Sequence, residues 1–183
     1  AQTGQAGLER LRGMEDTKGM WHQVLTGDLD GDGDIDIMGL NHGLNSRIHA
    51  TRERPASLWV GDFDGNGSTE QILSTWNGED SYPMVLRHDL VNQLPGLKRK
   101  YLKYESYKEQ TMQDIFTPEQ LSGARELQAY TLASTVFWND GEGGFEAGEL
   151  PVQAQFAPMY AGLALEQGKV LLGGNLWQVK PEA

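Results

Sequence analysis

Cysteine is absent from the 183 residues, so neither a disulfide nor a thiolate metal site is available to this chain. That absence fits a bacterial cytoplasmic protein or a disulfide-free secreted one, and does not separate them. Basic residues are scarce as well. Fifteen Lys and Arg against 26 Asp and Glu leave a formal net charge of −11, which argues against nucleic acid as a partner, because phosphate binding needs clustered cations. The one basic cluster, Lys98-Arg99-Lys100 with Lys103, lies beside acids and reads as a solvated helix face. No window approaches eighteen consecutive apolar residues, so no membrane span is expected. The opening AQTGQAGLER has neither a basic nor an apolar leader region, so any signal peptide is expected to have been removed or to lie outside the chain. No G-x-S-x-G elbow, phosphate loop or dinucleotide fingerprint occurs, and His22, His42, His49 and His88 are scattered without ligand spacing.

What is abundant is glycine and acid. The 23 glycines favour a turn-rich, β-rich architecture. Two segments repeat without gaps: VLTGDLDGDGDIDIM from Val24 aligns on LWVGDFDGNGSTEQI from Leu58. Each reads as a short apolar run, Gly-Asp, an acidic glycine-rich loop, and a second apolar run, which predicts a β-hairpin around each loop. LLGGN at Leu171–Asn175 echoes IMGLN at Ile37–Asn41, but the loop before it has shrunk to EQGK, so no third ion is expected there. Asn139–Gly144 (NDGEGG) predicts a further hairpin turn. From Arg87 to about Tyr130 glycine thins out and a helical excursion is predicted. Pro95-Gly96 would break it, and Thr117-Pro118 would cap and open a helix. Lys98–Gln110 reads as an amphipathic helix.

Counted from Asp28, side-chain oxygens fall at loop positions 1, 3, 5 and 9 (Asp28, Asp30, Asp32, Asp36), with the Asp34 carbonyl at position 7. The second loop repeats this with Asp62, Asp64, Asn66 and Glu70, and the Ser68 carbonyl. Alternation puts every second side chain on one side, and the glycines let the chain curl about a centre. An all-oxygen cage of this kind suits Ca²⁺, which takes about six to eight oxygens at about 2.3–2.6 Å; Mg²⁺ fits less well, and zinc lacks its Cys or His ligands. An EF-hand would need Glu at position 12, where Gly39 and Leu73 stand, and flanking helices. The competing reading is a pair of acidic surface turns, which does not account for oxygen at every odd position in both copies.

D-x-D-G-[DN]-G-x-x-[DE] between strands, repeated, resembles the FG-GAP/VCBS repeat of integrin-α-like β-propellers. GLNHGLNS (Gly39–Ser46), NDGEGGFE (Asn139–Glu146) and LPVQAQFAP (Leu150–Pro158) resemble the C-terminal half of secreted bacterial proteins related to cartilage acidic protein, which join VCBS repeats to an ASPIC/UnbV-type region. The resemblance implies calcium at both loops, with Asp28, Asp30, Asp32, Asp34 (carbonyl) and Asp36, then Asp62, Asp64, Asn66, Ser68 (carbonyl) and Glu70 as ligands.

The expected architecture is mainly β, with antiparallel propeller-type blades: a partial propeller of about three units carrying a helical insertion. Residues 1–86 would hold two calcium-loop repeats, 87–130 the insertion, and 131–183 further blade material with a degenerate loop, all in one structural domain that is a portion of a longer propeller. The expected role is an extracytoplasmic interaction or adhesion module for protein or glycan, without catalysis, self-associating through open strand edges. Trp76, in STWNGEDSYP, is the candidate ligand platform; the other tryptophans read as core. The alternative is a carbohydrate-active enzyme, a lyase or glycosidase of propeller type.

Overall fold

In a computed structural model, residues 11–165 and 168–175 are described. The fold is mainly β and antiparallel. Ten strands are present among these residues: β1 (Gln23–Gly27), β2 (Asp36–Leu40), β3 (Ala56–Gly61), β4 (Glu70–Asn77), β5 (Asp80–Pro83), β6 (Arg125–Ala129), β7 (Thr135–Asn139), β8 (Phe145–Glu149), β9 (Met159–Ala164) and β10 (Val170–Gly174). Three short helices, α1 (Arg87–Gln93), α2 (Met112–Ile115) and α3 (Pro118–Gly123), fall between β5 and β6.

The chain divides into two compact units, residues 1–47 with 132–183, and residues 48–131. The second therefore interrupts the first in sequence. In the first unit, β1-β2-β7-β8 form one antiparallel sheet, in which Ile37 pairs with Phe137 although the whole second unit lies between them in the chain. The hairpin β9–β10 packs beside it, and Leu29, Met38, Leu40, Val136 and Met159 form the buried core. Gln23 fixes this packing by bonding both backbone groups of Gly162, donating to its carbonyl at 3.3 Å and accepting its N–H at 2.7 Å. The approach is close: a Cβ at Gly162 would fall 2.6 Å from Leu25 Cδ1 and 2.9 Å from Leu40 Cδ1, so both leucines would have to shift.

Two segments that carry the resemblance meet through buried polar groups. The Asn41 N–H donates to Ser134 Oγ at 2.9 Å, and Gln155 exchanges hydrogen bonds with both backbone groups of Ser134. Buried amides stay only where their hydrogen bonds are met, so this network holds GLNHG against LPVQAQFAP. Beside it, burial pulls the imidazole of His42 below its ordinary value of 6.5, with the neighbouring His22 adding to the effect, and His22 is lowered by burial too. The His42 Nε2 is buried without a hydrogen-bond partner among the described residues. A depressed folded value means the unfolded chain takes the proton first. The stability present above about pH 6.5 is therefore lost as pH falls through the lowered folded value. We expect the urea midpoint to fall between pH 7.5 and 5.5, and His42→Gln to flatten that slope; an equally steep slope in the variant refutes the assignment.

In the second unit the sheet order is β5-β4-β3-β6. Strand pattern and turn chemistry account for the β3–β4 and β4–β5 hairpins, the latter turning at Gly78 with φ 67°. The helices cover one face of this sheet with an aromatic-rich core of Phe63, Ile72, Leu90, Leu94, Tyr101, Tyr107, Met112, Ile115 and Phe116. Thr117 caps α3 and Pro118 opens it, as the sequence predicts, and both Thr111 and Thr117 close capping boxes. Helix α1 ends before Pro95, also as predicted.

Two expectations are corrected. The stretch 87–130 is not helical throughout, because β6 completes the sheet by pairing with β3. Lys98–Gln110 is not an amphipathic helix but 3₁₀ turns and loop. Here Arg87 donates to the carbonyls of Tyr101 (2.6 Å) and Leu102 (3.0 Å), and Tyr101 turns inward until only 1% of it is exposed. Carbonyls bound by a guanidinium are taken from the helical ladder, and burial of the tyrosine outweighs propensity. No helix among the described residues is long and apolar enough to cross a membrane. Glu166 and the LWQV segment with Trp177 lie outside the described residues.

Candidate metal centre

Each acidic loop joins the two strands of a hairpin, β1 to β2 in one unit and β3 to β4 in the other. Within them the same hydrogen bonds recur at the same positions. The position-1 carboxylate bridges the turn: Asp28 accepts from the N–H groups of Gly31 (2.7 Å) and Gly33 (3.2 Å), and Asp62 from Gly65 and Gly67 (both 2.8 Å). Position 3 accepts from the N–H of position 5, as Asp30 from Asp32 and Asp64 from Asn66. Position 5 accepts from position 7, as Asp32 from Asp34 and Asn66 from Ser68. Position 9 reaches back to position 2, where the Leu29 N–H meets Asp36 and the Phe63 N–H meets Glu70. The turns close because Gly31 and Gly33, like Gly65 and Gly67, sit at φ between 73° and 99°.

This scheme points backbone N–H groups at the carboxylates and collects the acids. Asp28, Asp30 and Asp36 each place one oxygen within 4.8 Å of the others, and Asp62, Asp64 and Glu70 do the same. Position 9 is buried in both, with Asp36 only 1% exposed, whereas positions 1 and 3 face solvent. Like charges held this close in a partly desolvated turn repel, and a bound cation removes that penalty. The donors are all oxygen, so the clusters fit a hard cation.

Asp32 and Asp34 stand outside the carboxylate trio of the first loop. Asp32 occupies the place of Asn66, which is consistent with a neutral oxygen sufficing at position 5. The Asp34 carboxylate turns toward the β7–β8 turn, where a Cβ on Gly141 would fall 2.8 Å from its Oδ2. Its side chain is thereby directed to that turn, which leaves position 7 to act through its carbonyl, as Ser68 would in the second loop.

Sequence reasoning passed over position 2. Leu29 and Phe63 are buried in the cores of their respective units and anchor each loop from beneath. The signal was there, since both copies carry an apolar residue between acids. It also passed over Asn139, whose N–H caps the second oxygen of Asp36 at 2.9 Å and whose side chain binds the Ile35 carbonyl.

The third glycine-rich turn is different. Asp140 accepts from the N–H groups of Gly144 and Glu142, which hold its carboxyl below the ordinary carboxylate value, and Arg12 pairs with it at 2.6 Å. A side-chain cation already serves this turn. Trp76 lies in β4, toward the end of the strand remote from the second loop. The four histidines take no part in either acidic cluster. No protein-family model, curated protein or solved structure matches the chain.

Proposed function

We propose that this chain is a calcium-binding, extracytoplasmic module of β-propeller type that serves protein or glycan interaction and has no catalytic role. The observation that carries the reading is the position-for-position correspondence of hydrogen bonds in the two loops, each gathering three carboxylates. Acidic turns without a ligand have no reason to repeat one buried acid and two exposed ones at the same spacing. The oxygen-only donor set, the flexible glycine turns and the solvent-open positions suit Ca²⁺, with its larger and less regular shell, better than octahedral Mg²⁺. Ligands are Asp28, Asp30, Asp32, the Asp34 carbonyl and Asp36, and in the second loop Asp62, Asp64, Asn66, the Ser68 carbonyl and Glu70.

Blade character is supported by one four-stranded antiparallel sheet in each unit, each with its acidic loop at a hairpin. An exported location follows from the chemistry of weak, exposed calcium loops, which fill at millimolar Ca²⁺ and stay empty at cytosolic levels. Among the described residues β8, β5 and β6 end their sheets and offer strand pairing to a neighbour, so self-association belongs to the same reading.

Calorimetric titration tests it. Two Ca²⁺ sites are expected, the first loop tighter because Asp32 adds a charge where Asn66 has none. Asp62→Ala should remove the weaker site and leave the tighter one unchanged. A chain that takes up no Ca²⁺, or takes Mg²⁺ equally well, does not have this function.

A further inference from the structure

One face of the second unit's sheet changes character along its length. At Ile72 it is sealed by the aromatic core, while toward the β4–β5 turn it opens into a cleft of about 390 Å³. Strand register puts the lining on this face: Trp59 lies opposite Glu126, Ser57 opposite both Ser74 and Gln128, and Trp76 opposite Ser81. Arg52 and Gln113 complete the walls.

The two tryptophans are used differently. Trp59 packs against the core and donates its indole N–H to Ser74 Oγ at 3.1 Å. Trp76 stands in an inner strand, half-buried, yet belongs to neither hydrophobic cluster. Among the described residues its ring makes no hydrogen bond and no ring contact. On the same face, Glu126 Oε1 accepts from Ser57 Oγ at 2.6 Å and Gln128 Nε2 at 3.1 Å. Those bonds fix the carboxylate and leave its other oxygen for a ligand.

We propose that this cleft binds a neutral saccharide, with one pyranose ring stacked on Trp76 and its hydroxyls bonded to Glu126 and Gln128. A pyranose has an apolar C–H face and a rim of hydroxyls that both donate and accept, matching an indole face beside a carboxylate and amides. Burying those polar groups under a ligand without hydroxyls would leave them unpaired. Charge sets the neutral preference. Glu53 and Glu126 outnumber Arg52 in the lining, and the chain carries a net charge of −11, so acidic polymers are repelled. The inference deepens the interaction reading without depending on the metal: the acidic loop joins β3 and β4 at the ends remote from the β4–β5 turn.

The test is calorimetric titration of the full chain, in saturating Ca²⁺ and again in chelator, with neutral β-linked hexasaccharides of glucose, xylose, mannose and N-acetylglucosamine. Polygalacturonate and choline are the contrasting ligands. At least one neutral hexasaccharide is expected to bind. Trp76→Ala should weaken it by about tenfold or more, Trp76→Phe should restore part of that, and Glu126→Gln should weaken it with an unchanged thermal midpoint. Binding indifferent to these substitutions, binding of polygalacturonate or choline alone, or no binding at all overturns the proposal. Failure of the metal reading shows separately, as a thermal midpoint that ignores Ca²⁺ while Trp76-dependent binding persists.

Discussion

Millimolar Ca²⁺ is expected to raise the thermal midpoint of the wild-type chain by about 6–11 °C over the chelated protein. With Kd near 0.1 mM, a value suited to extracellular sites, each occupied loop adds roughly 1.4 kcal/mol at 1 mM Ca²⁺. Two loops add roughly 3 kcal/mol, and a chain of this size shifts by about 2–4 °C per kcal/mol. Excess Mg²⁺ should do little. The double substitution Asp28→Ala with Asp62→Ala should abolish the response, because position 1 holds two backbone N–H groups of its loop as well as contributing an oxygen to the trio. The double variant should also be less sensitive to chelator than the wild type, since it carries less charge to repel. An undiminished Ca²⁺ response in the double variant would show that the ion binds elsewhere. No response in the wild type would reduce both loops to acidic turns.

Phe63→Ala should be the most damaging single change to the second unit, costing about 3–5 kcal/mol. Phe63 is 3% exposed and packs on Phe116 with ring centroids 4.4 Å apart. It sits at position 2 of the loop, so its backbone serves the site while its side chain serves the core. The N–H donates to Glu70 and the carbonyl accepts from Gln120 in α3. Removing the ring loosens the element that aims the buried Glu70 at the other two acids, so Ca²⁺ affinity at the second loop should fall together with stability. Urea unfolding and calcium titration on the same variant check the coupling. Thr69→Ala, at an exposed loop position, is the control and should change neither. If Phe63→Ala lost stability but kept full calcium affinity under folded conditions, the loop would be organised by its own hydrogen bonds and not by its anchor.

The sequence by itself determined the local chemistry. Nine residues with an oxygen-bearing residue at every odd position and glycine at positions 4 and 6 specify a turn whose carboxylates meet its own N–H groups, and nothing distant is needed for Asp28 to bond Gly31 or for Asp62 to bond Gly65. The three hairpins, the proline break before the 3₁₀ turn and the Thr117 cap were legible for the same reason, since each is decided within a few residues. The tertiary structure alone decided what depends on pairing across long stretches of chain. Strand β7 joins β2 after an interruption of a whole unit, and β6 leaves the helical stretch to complete the second sheet. Tyr101 turns inward because Arg87 takes the carbonyls beside it, against the helical spacing of its own segment. The second oxygen of Asp36 is capped by Asn139, 103 positions away, and Trp76 and Glu126 come to line one cleft only through the pairing of the sheet. Hydrophobic periodicity marks which face of a strand is buried but carries no information about which strand will lie beside it. That choice is made by the joint burial of surfaces far apart in sequence, and it is what places the acidic loops and the tryptophan cleft.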